Sequence, residues 1–127
     1  MITTSEVEDI LYGYFKNKGK VFRQGTEPLG EVKEERIQLI VKEQSKSKYW
    51  NSGFVEVNFL IPNINNMPDI ARLGEVEKDL SDFEEYGKHG GVSYTFGTYS
   101  TVRLKDEALK CWFVNCRILF ESLNTKL

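Results

Sequence analysis

Apolar residues recur along the chain with two periods, and the switches between those periods divide it into elements. Val7, Ile10, Leu11, Tyr14 and Phe15 fall at helical intervals. They follow Thr3-Thr4-Ser5-Glu6, in which Thr3 and Glu6 have capping-box spacing, so an amphipathic helix is predicted to start there and to end at Gly19. Val21-Phe22-Arg23 reads as a short strand, and residues 24–35, rich in Gly, Glu and Lys around Pro28, as an exposed loop. From Arg36 to Lys42 the alternation of Ile37, Leu39 and Val41 with Gln38, Ile40 and Lys42 predicts a half-buried strand. A turn with Ser, Lys, Asn and Gly follows over Lys46 to Gly53. The next strand, Phe54 to Ile61, places Val55, Val57, Phe59 and Ile61 on one face and Phe54, Glu56, Asn58 and Leu60 on the other. A slip of one residue would bury Glu56 and Asn58, so the register is specified.

Pro62 and Pro68 bracket a turn, after which Asp69 stands at a helix start and Ile70, Leu73, Val76, Leu80 and Phe83 follow at spacings of three and four. This second helix is expected to end near Gly87, with Glu75, Glu77, Lys78, Asp79, Asp82, Glu84 and Glu85 on its outer face. His89-Gly90-Gly91 makes a turn into the alternating Val92, Tyr94 and Phe96. Over residues 97–110, Tyr99, Val102 and Leu104 fit either a twisted continuation of that strand or an extended hairpin. In the last strand Trp112, Val114, Cys116, Ile118 and Phe120 oppose Phe113, Asn115, Arg117, Leu119 and Glu121. Its length suggests a central strand, or one that continues into a partner. The predicted fold is α+β: one domain over 1–127, with two helices packed against a mainly antiparallel sheet of four to five strands, in the order α-β-β-(β)-α-β-β.

At 127 residues, with 40% hydrophobic and 28% charged, the chain has the composition of an ordinary globular domain. Its net charge of -2 provides no overall positive field for nucleic acid. Basic and aromatic residues do cluster locally, at Lys16, Lys18, Lys20 and Arg23, and at Lys42, Lys46 and Lys48 with Tyr49 and Trp50. Solvated turns, or a protein contact at Tyr49 and Trp50, explain them more simply than a nucleic-acid site. No apolar run reaches membrane-spanning length and the start has no signal-peptide pattern, so a cytoplasmic location is expected. Cys111 and Cys116, five apart in one strand, should point to opposite faces and remain unbridged.

Catalytic candidates are few. His89 is the single histidine, and in a Gly-rich turn after an acidic helix it reads most simply as an exposed polar residue, since nothing pairs it with a nucleophile. His89-Gly90-Gly91 has the look of an esterase oxyanion turn, but no Gly-x-Ser-x-Gly elbow accompanies it. Gly13 to Lys20 misses phosphate-loop spacing by one residue and has Val21 where a hydroxyl residue belongs. No catalytic residue, cofactor or metal ligand is assigned.

Two blocks carry a resemblance to a known family. Val57-Asn58-Phe59-Leu60-Ile61-Pro62-Asn63, with Met67-Pro68-Asp69-Ile70-Ala71-Arg72-Leu73, resembles small prophage proteins of Bacteroides-type bacteria. Those are similar to tail-completion proteins of long-tailed phages, also called tail-terminator or head-tail joining proteins. Trp112-Phe113-Val114-Asn115-Cys116-Arg117-Ile118-Leu119-Phe120-Glu121-Ser122 resembles their closing strand, and Met1-Ile2-Thr3-Thr4 with Leu11-Tyr12 their opening. The resemblance implies a non-enzymatic virion protein, assembled in the host cytoplasm, that caps the tail tube and joins it to the head connector. Its expected partners are further copies of itself, commonly in a ring of six, and the tail-tube and connector proteins, with nucleic acid only passing through the ring lumen. Ring subunits need two different complementary surfaces. Charge contrast nominates Lys46, Lys48, Tyr49 and Trp50 for one, and Glu77 and Asp82 on the acidic helix for the other. The alternative is a small cytosolic protein- or peptide-binding domain with no phage connection.

Overall fold

The computed structural model describes residues 2–123, so Met1 of the opening block lies outside the described residues. The elements run α1 (Thr4–Phe15), β1 (Lys20–Arg23), β2 (Arg36–Lys46), β3 (Trp50–Pro62), α2 (Ile70–Ser81), β4 (Glu84–His89), β5 (Val92–Asp106) and β6 (Cys111–Leu123). The strands form one six-stranded sheet in the order β1-β2-β3-β6-β5-β4, in which β1 is parallel to β2 and every other pair is antiparallel. This corrects the expected fold: the sheet is mixed and has six strands, not four to five, and the order is α-β-β-β-α-β-β-β.

The missing strand is β4. Helix α2 stops at Ser81, not near Gly87, and Glu84-Glu85-Tyr86-Gly87-Lys88-His89 forms the sheet edge against β5. Charged and polar residues there protect an unpaired edge from further pairing, which erases the apolar alternation that would reveal a strand. Phe83 fits the helical spacing but sits beyond α2, where it packs its ring on Phe15, Tyr14 and Phe96. The β4–β5 turn uses Gly90 and Gly91, both at positive φ (56° and 80°), the backbone of a two-residue hairpin turn. β5 settles the ambiguous stretch, since it continues through a bulge between Thr98 and Ser100 as far as Asp106.

Helix α1 begins with the capping box: Thr3 accepts from the Glu6 backbone N–H, and the Glu6 carboxylate accepts from the Thr3 backbone N–H. It ends at Phe15, four residues before Gly19, in a turn closed by Lys18 N–H to Phe15 C=O. Asp69 caps α2 by accepting from Arg72 N–H. Before it, Asn65 and Asn66 take positive φ (52° and 63°) in a tight turn between Ile64 and Met67. Asn tolerates that conformation better than other residues with a Cβ.

Both helices lie on the same face of the sheet. Val7, Leu11 and Phe15 of α1 and Leu73, Val76 and Leu80 of α2 join one core with Ile37, Leu39, Val55, Val57, Phe59, Ile61, Phe96, Val114, Cys116, Ile118 and Phe120. These are the apolar faces that strand alternation assigned to β2, β3 and β6. On the opposite face, here called the outer face, the β1–β2 loop packs against the sheet through Val32. That loop is exposed over most of its length, as expected, but it is pinned to the sheet at one point. Val32 is buried with Leu60 and Cys111, its N–H bonds Leu109 C=O, and Arg36 donates to Pro28 C=O.

Phe120→Ala removes a fully buried ring from the centre of this core and is expected to cost about 3–5 kcal/mol. Urea denaturation of the two proteins measures it.

Candidate interaction surfaces

The sequence nominated two charged surfaces, and the structure places them on separate elements. Lys46 ends β2, Lys48 and Tyr49 form the tip of the β2–β3 hairpin, and Trp50 begins β3. The tip is closed tightly: Ser47 N–H and hydroxyl both donate to Trp50 C=O, and Trp50 N–H donates to the Ser47 hydroxyl. Tyr49 is 61% exposed with the Lys48 ammonium 5.3 Å from its ring centre. Lys46 and Lys48 have no ion-pair partner among the described residues.

The acidic helix is less available than its sequence suggests. Glu77 binds Arg103 of β5 at 2.8 Å, Asp79 binds Lys18 at 2.9 Å and Glu75 binds Arg72 at 3.1 Å. Arg72 also holds Glu35 through two bonds of 2.8 and 2.9 Å and lies over the Phe59 ring, so it ties α2 to the start of β2. The Glu35 carboxylate, partly offset by burial, raises the Arg72 pKa further above its ordinary value. Asp82 caps the end of α2 and makes no ion pair among the described residues. The basic clusters are likewise partly neutralised, with Lys20 on Glu34, Arg23 on Glu8 and Asp9, and Lys42 on Glu56. What remains of a phosphate-binding footprint is the hairpin tip and scattered lysines.

The outer face carries features that strand alternation alone did not single out. A chain of amides crosses it: Gln38 donates to Glu27, Asn58 to Gln38 and Asn115 to Asn58, at 2.7, 3.1 and 2.7 Å. Beside it the exposed Arg117 guanidinium stacks 4.4 Å from the Phe54 ring centre, and Phe54 meets Tyr99 edge-on at 5.2 Å. Leu119 separates two shallow depressions. One, of about 460 Å³, is lined by Lys42, Glu43, Phe54, Glu56 and Arg117. The other, of about 380 Å³, is lined by Glu84, Thr95, Tyr99, Leu119 and Glu121. The available signal was the apolar Phe54 and Leu119 on the polar sides of their strands. Their meeting with Tyr99 depends on strand order, which periodicity does not carry.

His89 does have a carboxylate neighbour, since its Nε2 lies 2.8 Å from Glu6. That carboxylate is already part of the α1 cap, where the Thr3 backbone N–H, then its hydroxyl, and His89 to a lesser degree hold it below its ordinary pKa. His89 lines neither depression and has no thiol beside it; its contact joins the β4–β5 turn to the start of α1. Among the described residues no group of three His, Cys, Asp or Glu is placed to hold a metal ion. No described helix is long and apolar enough to cross a membrane. Cys116 faces the helices and Cys111 the outer-face cluster, so the two thiols are buried on opposite sides and unbridged.

No protein-family model matches the chain, and comparison with curated proteins finds no match.

Burial pushes the Cys111 thiol up to about 11 from 9.0, and Cys116 also upward. Native protein is therefore expected to leave both thiols unlabelled by a disulfide reagent at mildly alkaline pH and to release both on unfolding. The unfolded thiol ionises first, so unfolded protein binds fewer protons and stability falls between about pH 9 and 11. Cys111→Ala should flatten that fall in denaturation curves taken across the range. A slope equal to wild type, or labelling of the native protein, would contradict this placement.

Proposed function

We propose that the chain is a non-enzymatic structural subunit of phage tail assembly that caps the tail tube and joins it to the head connector. The observation that carries the reading is where the two main blocks of resemblance fall. They are nearly fifty residues apart in sequence, yet they lie side by side as β3 and β6, paired without a bulge from Trp50↔Leu123 to Pro62↔Cys111. Arg72, inside the first block, anchors the corner by bonding Glu35 from α2. The residues that carry the resemblance build one central strand pair and its exit into a helix, which is where a fold held in common would be expected to keep them.

The surfaces suit such a role. A rigid basic hairpin projects at one end of the sheet, and a helix-free face lies open to a neighbouring protein. Virion assembly in the host cytoplasm, self-association and contact with tube and connector proteins belong to the same proposal.

Adding the purified chain to tail-tube protein of the same phage while it polymerises tests the reading. Tubes are expected to stop growing, with the chain bound at a substoichiometric level in the pelleted tubes. Unchanged tube length with no chain in the pellet would contradict it. Capture instead of an unrelated cellular protein, mapped to the outer face, would favour the peptide-binding alternative.

A further inference from the structure

We propose that the basic tip of the β2–β3 hairpin docks into the acidic outer-face depression of a second copy of this chain. Most charged side chains near the helices are matched within the chain, as with Glu77 and Arg103, Asp79 and Lys18, and Arg72 with Glu35 and Glu75. Lys46 and Lys48 at the tip are not, and neither are Glu84 and Glu121, which flank the depression on β4 and β6 and outnumber the nearby cation Arg117, 5.9 Å from the Tyr99 ring centre. Surfaces of opposite and unmatched charge on one molecule steer its copies together.

Apolar surface is matched as well. Tyr49 is 61% exposed at the tip and Tyr99 is 65% exposed at the depression, where Leu119 forms part of the lining. Exposed aromatic rings ringed by charge are the composition of an interface centre. A depression of about 380 Å³ has room for one large side chain such as Tyr49. The three hydrogen bonds that close the turn hold the tip in one shape before contact, so docking sacrifices little conformational freedom.

Lys46, Lys48 and Tyr49 do not line the depression of their own chain, although Trp50 at the base of the tip lies beside Thr95 and Glu121. The tip is held at the end of the ladder by Lys46↔Asn51 on one side of β3 and Trp50↔Leu123 on the other. Folding it over the outer face would break both ladders, so the contact joins two molecules. Tip and depression are different surfaces, and such a contact propagates around a ring or closes reciprocally in a pair. The choice of a ring rests on the tail-assembly reading; the contact itself does not.

Light scattering coupled to size exclusion, over a range of concentrations, tests it on the chain alone. Wild-type mass should rise with concentration, and less so in high salt. K46E/K48E and E84K/E121K should each need about tenfold more protein for the same rise. Circular dichroism establishes that both variants are folded. Combining all four substitutions in one chain, or mixing the two double variants in equal amounts, should recover association, which general loss of stability could not do. A wild type that stays monomeric throughout, double variants that associate like wild type, or folded four-site protein that fails to recover would each overturn the contact. Double variants that self-associate like wild type and still stop tube growth would remove this contact and leave the tail reading standing. Wild-type association with the predicted charge dependence, in a protein that ignores tubes, would support the contact and remove the tail reading.

Discussion

The unbroken pairing of β3 with β6 is the constraint on which the rest of the molecule depends. Every second residue of both strands is apolar and faces the helices, from Val55 to Ile61 on one and from Val114 to Phe120 on the other. A one-residue slip of either strand would turn Glu56 and Asn58, or Asn115 and Arg117, into that core. Burying such groups without partners costs far more than any loop contact could return. The pair therefore locks its own register, and β2 and β5 then add to its two free edges with apolar residues on the same side.

That arrangement decides which surface is left over. With α1 and α2 both on one face, the core is sealed by helices there, while among the described residues the outer face carries the β1–β2 loop at one end. Polar residues on that face satisfy one another across strands through the Gln38, Asn58 and Asn115 amides, and Arg117 finds an aromatic face in place of a carboxylate. Ion pairs between distant segments neutralise much of the charge around the helices. Among the charges left without an ion pair are those at the hairpin tip and beside the Tyr99 depression.

Much of this was legible in the sequence wherever a residue's environment is set by its near neighbours. The capping box at Thr3 and Glu6, the two faces of β3 and β6, and the opposite placement of Cys111 and Cys116 all follow from local spacing. β4 was not legible, because an edge strand with charge on both sides has no period, and Phe83 lent the preceding helix a false extra turn. Parallel pairing of β1 with β2 depends on a loop path that periodicity does not encode, and so does the burial of Val32. The ion pairs that occupy part of the acidic face of α2 were hidden for a related reason. Arg103 and Lys18, which occupy Glu77 and Asp79, lie 26 and 61 residues away in sequence. Glu84 and Glu121 approach the same depression only because β4, β5 and β6 are neighbours in the sheet.

The central claim is that this chain sits at the end of a tail tube, and electron microscopy of tubes assembled with it tests that most directly. The account predicts extra density, shaped as a ring, at one end of each tube and nowhere along its length, and its absence from tubes assembled without the chain. Bare ends on tubes assembled in excess chain, or density scattered along the tube wall, would contradict it.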